Sequence, residues 1–318
     1  RPPRRRARAF RVPGRDRRAM SIDRPVVVLG GSGFVGRHLT RALVDAGHRV
    51  VVPTRGDARS HGTLTFVQGD VFDPAFLARV VDGAGAVANL VGILNEPGDD
   101  GRQFERVFVE LPDLLMAAMR DAGVHRLLQM SALHAGAGES HYLKARGRAE
   151  DHVRASTLKW TLLRPSVIAG PGDGLFNRFD ALLRFAPALP VGRADARFQP
   201  VWVGDVAQAF VQALRRDDSV REAYDLVGPR VMTLRQIIEA TAAARGRMRA
   251  VIALPDALGR VQAEVGEHLP GKPISRDNWR SLQLDSVSDD DGLARLGITR
   301  TDPLERIDEI LGIALRAG

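Results

Sequence analysis

The chain has no cysteine, only two tyrosines and three tryptophans, and no long apolar run. Each scarcity closes off a class of function. Without cysteine there is no disulfide, no thiolate metal site and no cysteine nucleophile. The longest apolar stretches fall well short of the roughly 20 residues that span a bilayer as a helix. Aromatic residues make up 5% of the chain. They do not interleave with the scattered Arg215, Arg216, Arg245 and Arg247, so the folded part lacks a stacking platform for nucleic acid. No metal site is read either. His134, His141 and His152 have no ligand-like spacing, and Asp289, Asp290 and Asp291 read as a solvated turn before a helix. Internal repeats and low-complexity segments are missing from the fold.

What is present is ordinary globular material: 318 residues, 44% hydrophobic and 26% charged. The net charge of +8 is misleading. Residues 1–19 carry nine arginines and one acid, a local charge of +8, so everything after them is balanced. Such a tail could be a basic arm for nucleic acid or anionic lipid, or an import leader, although it has no serine and no clear apolar face. The preferred reading is that Met20 is the natural start and that residues 1–22 are a basic, disordered stretch foreign to the native protein.

The rest is organised around Val26-Val27-Val28-Leu29-Gly30-Gly31-Ser32-Gly33-Phe34-Val35-Gly36. Four apolar residues, three of them β-branched, read as a strand buried on both faces. Phe34, Val35, Leu39 and Leu43 then follow at helical spacing. Strand, glycine turn and helix form the context that gives the G-x-x-G-x-x-G spacing of Gly30, Gly33 and Gly36 its meaning. In that context the glycines allow a sharp turn, a close approach to a pyrophosphate, and tight helix–strand packing. The free N–H groups of the helix start, from Ser32 to Arg37, face the phosphates.

Further strands are expected at 49–53, 64–68, 86–91, 126–130 and 160–164, with helices between them over 74–81, 104–122 and 142–155. Pro112 should kink or split the second of these helices. Strands alternating with helices at crossover spacing specify an α/β fold, a doubly wound parallel Rossmann sheet. Residues 23–169 read as the dinucleotide-binding domain. Residues 170–318 read as a smaller, mixed C-terminal lobe for substrate or docking, partly returning to the main sheet. There Asp205 is expected to cap a helix to about Leu214, Ala223 to Val227 to form a strand, and Thr233 to open a further helix.

Arg55 follows the second strand, where an acid would bind the 2′-hydroxyl of NAD and an arginine a 2′-phosphate. With no acid there, and with Arg37 after the glycines, NADP(H) is the expected cofactor and NAD(H) the second choice. Asp70, followed by Val71, stands where the adenine amino group would be met, or caps a turn.

Several segments carry a family resemblance: the glycine turn through Arg37, Gly69-Asp70, Asn89-Leu90-Val91-Gly92, Ser131-Ala132-Leu133, Tyr142 to Glu150, Leu163-Arg164-Pro165-Ser166, and Pro200 to Ala207. The chain resembles the atypical, extended short-chain dehydrogenases/reductases of the NAD-dependent epimerase/dehydratase superfamily. Within it, the chain is most similar to the NADPH-binding accessory subunits of respiratory complex I and their bacterial homologues. The resemblance implies cofactor contacts at Asn89, Leu90, Val91, Gly92 and Pro165, besides those above, and a Ser131/Tyr142 pair at the reacting end. Family members that turn over use Ser, Tyr and Lys, with Y-x-x-x-K spacing. The lysine is needed because a phenol with a pKa of about 10 is a poor base until a neighbouring ammonium lowers it. Here the fourth position after Tyr142 is Arg146, and Lys144 points elsewhere on the helix. Arg146 can supply charge and donate to a ribose, but a guanidinium does not exchange its proton.

Two functions therefore stand side by side. One is an NADP(H)-binding module with weak or no turnover, resembling the complex I accessory subunit and docked on a respiratory-complex or quinone-pathway protein. The other is an active NADPH-dependent reductase or epimerase that uses Ser131 and Tyr142 on a carbonyl or quinone-type substrate. The expected location is a bacterial cytoplasm, compatible with the periphery of the inner membrane and with no transmembrane segment.

Overall fold

A computed structural model describes residues 24–57, 59–269 and 272–313; the basic tail lies outside them. Strand β1 (Val26–Leu29) is buried along its whole length, as its unbroken apolar run requires. It leads through the glycine turn into helix α1 (Phe34–Asp45). There follow β2 (Val50–Thr54), β3 (Leu64–Gln68), α2 (Pro74–Val81) and β4 (Ala86–Asn89). Helix α2 starts as its sequence dictates, with proline in the first turn and the Asp73 carboxylate accepting from Ala75 N–H.

Helix α3 spans 102–121 and contains the disturbance expected at Pro112. The chain does not break there. It passes from Arg102–Glu105 through a π turn at Arg106–Glu110 into Leu111–Asp121. Proline lacks the N–H that would bond back along the helix, and the widened turn just before it absorbs the mismatch. After β5 (Arg126–Met130), α4 (His141–Ala155) and β6 (Lys159–Pro165), the chain enters the second lobe.

From that lobe the chain returns to the main sheet: helix α5 (Val203–Arg215) packs on α1, and β6 gains a neighbour, β7 (Glu222–Leu226). The seven-stranded sheet has the order β7-β6-β5-β4-β1-β2-β3, and every pairing in it is parallel. One apolar layer lies between the sheet and α1 and α5, and includes Val26, Leu39, Val52 and Phe210. The other lies under α2 and α3, with Val27, Phe76, Leu111 and Leu115. The strand order reverses between β1 and β4, and the crevice outside the carboxyl ends of such strands is where open α/β sheets place a ligand.

In the second lobe Thr233 opens its helix, Leu234–Ala244, with a full capping box to Gln236. Asp205 does not cap α5. It lies inside the first turn, and its carboxylate accepts from Thr301 N–H at 2.7 Å and Thr301 Oγ1 at 2.9 Å, tying the C-terminal segment to the start of α5. Burial raises its carboxyl pKa, against those two hydrogen bonds.

Candidate active site

The glycine turn spends two of its donors on itself, Gly31 N–H to the Val28 carbonyl and Gly33 N–H to the Gly30 carbonyl, and leaves the helix start beyond them uncapped. Gly30 takes φ +77°, a left-handed conformation that disfavours a side chain, and a Cβ there would lie 3.0 Å from the backbone at Leu90 and Val91. At Gly36 a Cβ would overlap the carbonyl oxygen of Gly30 and the backbone of Gly31, so α1 can lie this close to the turn only with glycine there. Gly33 occupies the N-cap position of α1, and no side chain caps the helix. The N–H groups of its first turn are therefore available to an anion. Ser32 and Gly33 are exposed at this mouth. The residues present fit a dinucleotide pyrophosphate.

Other expected contacts divide into those left open and those committed. Arg55 is exposed beyond β2, and among the described residues neither Arg55 nor Arg37 joins an ion pair. Arg37 extends toward the second lobe, its Nη2 3.1 Å from where a Gly172 Cβ would stand. Phe34 also lies against Gly172, with Val35 packed between the sheet layer and the lobe's core, so both present only backbone to the mouth. Asp70 serves the turn it ends: Oδ1 accepts from Phe72 N–H at 3.0 Å. Val71 packs on the layer beneath α2.

Asn89 is spent internally. It is 1% exposed, donates to Gln129 Oε1 at 3.0 Å and accepts from Val91 N–H at 3.2 Å. Its role is to shape the turn Leu90–Val91–Gly92, not to offer its amide to a ligand. Leu90 and Val91 pack inward on opposite sheet faces, and Gly92 is exposed. Pro165 is buried, and its carbonyl accepts from Leu133 N–H at 3.2 Å, bracing the segment after Ser131.

At the other end of the crevice, α4 carries Tyr142, Arg146 and Glu150 at four-residue spacing, hence on one face. The helix is capped twice. Ser140 Oγ accepts from Leu143 N–H at 3.1 Å, and the Asp277 carboxylate accepts from the N–H groups of His141 and Tyr142 at 2.6 and 3.1 Å. Asp277 comes from the short C-terminal helix Arg276–Ser281, so the second lobe fixes where Tyr142 sits. The Tyr142 ring meets Phe104 and Phe108 edge-on, with centroids at 5.8 and 5.4 Å.

Arg146 is 6% exposed. Its Nη1 donates to the Met130 carbonyl at 2.7 Å, and its guanidinium lies 3.9 Å from the Phe108 ring centroid and 5.4 Å from that of Tyr142. On its open side it borders Gly92, where a Cβ would stand 3.1 Å from Nη2. Its Nε is buried and has no hydrogen-bond partner. Lys144 faces away and pairs with Glu139 at 2.6 Å.

Ser131 follows β5 and is 3% exposed. Its hydroxyl lies beside the Glu150 carboxylate without closing a full hydrogen bond. Glu150 is held by Arg164 through Nε at 2.8 Å and Nη2 at 2.5 Å, and by Arg154 at 2.6 Å. Burial pushes its carboxyl pKa up most strongly. Hydrogen bonds from Arg164, the adjacent Ser131 hydroxyl, and the charges of Arg164 and Arg154 together outweigh burial and leave it below the ordinary value.

The structure thus gathers the glycine turn, the 90–92 turn, Ser131, Tyr142 and Arg146 at one end of the sheet. Sequence reasoning missed Phe104, Phe108, Glu150 and Asp277 as parts of this site. The four-residue spacing of the phenylalanines, and Glu150 two helical turns beyond Tyr142, were visible signals. Nothing in the chain marks Asp277, which arrives from 135 residues away. Asp99, His141 and Asp277 bring ligand atoms within 4.8 Å of one another. Arg280 pairs with Asp99 at 2.5 Å and Arg276 with it at 3.3 Å, so arginines already balance this cluster.

Residues 30–182 match a family model described as NAD(P)H-binding. A mitochondrial NADH dehydrogenase [ubiquinone] 1 alpha subcomplex subunit 9 of Arabidopsis thaliana is 33% identical over 225 residues, 67% of this chain and 56% of that one. The chain therefore spans just over half the length of such relatives. A ceramide reductase of Caulobacter vibrioides is 30% identical over 247 residues, 73% of this chain and 74% of that one. Among solved structures, MoeE5 in complex with UDP-glucuronic acid and NAD superposes with a TM-score of 0.72 at 19% identity, covering 91% of this chain and 98% of that one. The UDP-N-acetylglucosamine 4-epimerase of Methanobrevibacter ruminantium gives 0.71 at 17%, covering 91% and 97%; at such identities these two speak for the fold alone. With the Rossmann sheet, the glycine turn and the relatives by sequence in view, the chain belongs to the atypical, NAD(P)-binding short-chain dehydrogenase/reductase family.

Proposed function

We propose that this protein is an NADP(H)-holding module in which the reacting end of the crevice positions the cofactor and turns it over weakly or not at all. The observation that carries the reading is Arg146. In the position of the family lysine stands a guanidinium that is buried, stacked on Phe108 and bonded to the Met130 carbonyl. It is a fixed positive charge beside the Tyr142 ring and the exposed Gly92, suited to holding a ribose hydroxyl and unable to pass a proton to the phenol. The preference for the 2′-phosphorylated dinucleotide rests on Arg55, a cation at the end of β2 with no ion-pair partner among the described residues.

When bound, the dinucleotide would supply a hydride donor or acceptor. The chain's own residues would hold its pyrophosphate at the start of α1, line its ribose with Gly92 and Arg146, and place Ser131 and Tyr142 near the ring. A tightly held nucleotide stabilises the folded state by mass action even where no reaction follows. The subunit 9 relative adds docking on a respiratory or quinone-pathway assembly at the inner-membrane periphery as the setting for such a module.

The relative named ceramide reductase favours a second reading, an NADPH-dependent reductase in which the Tyr142 hydroxyl donates a proton to a carbonyl oxygen oriented by Ser131. One preparation separates the two. The protein is denatured to identify released nucleotide, and NADPH absorbance is followed with carbonyl and quinone acceptors. Retained NADPH with no oxidation is the expected result. Oxidation that Tyr142→Phe abolishes would establish the reductase, and no affinity for NADPH or NADH would overturn both.

A further inference from the structure

Away from the crevice, the second lobe carries a ribbon of two parallel strands, Ala188–Gly192 and Ala250–Leu254. The loops that feed its two strands lie side by side, with Ala250 N–H bonding the Pro187 carbonyl and Arg249 Nε reaching the Leu183 carbonyl. The first loop exposes Phe185 to 85%, with Leu182 in the last turn of the preceding helix Phe176–Leu183 exposed to 38%; the second loop, turned by Gly246, exposes Met248 to 95%. Single exposed apolar side chains are ordinary on a protein surface; several gathered at one tip mark an interaction site.

The same tip is basic. Arg184, Arg245 and Arg247 surround one buried acid, Asp180, which Arg245 grips through Nε at 3.0 Å and Nη2 at 2.8 Å and Arg247 approaches through Nη1 at 3.4 Å, while Arg249 beside them donates to the Leu183 and Met248 carbonyls. Asp308 acts on Arg245 from farther off. The surplus is positive, in a chain whose residues beyond the tail are neutral overall.

We propose that this tip docks the protein on an anionic lipid surface, Phe185 and Met248 entering the headgroup boundary while Arg184, Arg247 and Arg249 meet lipid phosphates. Apolar side chains ringed by arginines are the pairing that peripheral membrane binding needs, since neither signal suffices alone. The charge favours lipid over a second copy of the chain, in which four arginines would face four others across a two-fold contact. The tip leaves the dinucleotide crevice untouched, so this inference stands apart from the proposed cofactor role.

The test uses the full chain, whose arginine-rich first nineteen residues could themselves adhere to acidic vesicles, so the readout must report the tip. The native tryptophans Trp160, Trp202 and Trp279 are 8%, 8% and 7% exposed. A Phe185→Trp variant therefore adds a single exposed indole. With phosphatidylglycerol vesicles its emission should shift to the blue and its quenching by acrylamide should fall, with no change on phosphatidylcholine vesicles. Sedimentation with the same vesicles should weaken at least tenfold in the double variant F185S/M248S, whose thermal melt should match that of the parent. Vesicle binding that leaves the indole unshifted and survives the double variant belongs to the tail and overturns the proposal. So does a dimer in solution that the double variant dissociates while vesicles capture nothing.

Discussion

The two ends of the crevice are built on opposite principles. The glycine turn is open: it offers backbone donors, an uncapped helix start and no side chain of its own. The Tyr142 end is filled: Arg146 is already bonded to Met130 and stacked on Phe108, and Ser131 lies against a Glu150 that two arginines hold. One end is completed by a ligand and the other by the protein. In this chain, therefore, the phosphate-binding apparatus and the proton-handling apparatus can be disturbed separately, and each substitution below acts on one of them.

The largest effect is expected at the filled end, from Arg164→Ala. It removes the two-point partner of a carboxylate whose side chain is 2% exposed. Losing one partner of a buried ion pair costs about 3–5 kcal/mol; the remaining contact to Arg154 places this case at the lower limit. Chemical denaturation of the nucleotide-free protein measures it. The pH dependence carries a sign. The Glu150 carboxyl is held below its ordinary value of 4.5, so its contribution is complete above that pH and is lost as the pH falls through the folded-state value. Stability of the Arg164→Ala variant should fall less between pH 5 and 3 than that of the parent. An equal fall in both would remove Glu150 from the account.

Next comes Gly36→Ala at the open end. The added methyl would overlap the Gly30 carbonyl, and overpacking of this kind costs roughly 1–3 kcal/mol. The informative feature is the split: NADPH affinity should drop at least tenfold at a temperature where circular dichroism shows the fold intact. A variant that melts early yet binds normally would mean that phosphates do not sit on this turn.

Much of this contrast is legible in the amino-acid sequence alone. The order of the elements, the buried β1 run and the glycine spacing are local signals, and the sheet follows from crossover spacing. The substitution of arginine for lysine at position 146 can be read directly. What arginine does there cannot, because Met130 and Phe108 reach it from other elements. Likewise Asp205 stands at a helix start and looks like a cap, yet Thr301, distant in sequence, claims its carboxylate. Asn89 matches the family's pattern, but its amide turns inward to Gln129. Position in the chain predicts an element well, and a side chain's partner poorly when that partner is remote.

Arg146→Lys sharpens the comparison at a single atom group. It restores the Y-x-x-x-K spacing but replaces a planar fork, stacked on a ring, with a compact ammonium. The Met130 bond and the Phe108 contact weaken, for an expected loss of about 1 kcal/mol in stability. If the filled end is what limits turnover, NADPH oxidation with carbonyl acceptors should rise above the parent's rate and then vanish on adding Tyr142→Phe. No gain in rate would place the limit at the acceptor's access and not at the relay.

The smallest effect tests how far the open end reads its ligand. Arg55→Ser removes one exposed cation from the end of β2. An exposed charge meeting a dianionic phosphate contributes of the order of 1 kcal/mol, less as salt rises. NADPH affinity should fall about five- to tenfold in dilute buffer, and NADH affinity should stay within twofold. The difference should shrink between 20 mM and 500 mM salt, since screening acts on the phosphate contact alone. An equal loss for both dinucleotides would mean that the Arg55 side chain supports the β2 end and does not meet a 2′-phosphate. In that case discrimination would fall to Arg37, whose guanidinium already leans toward Gly172 of the second lobe, and the cofactor preference would depend on how that lobe is held.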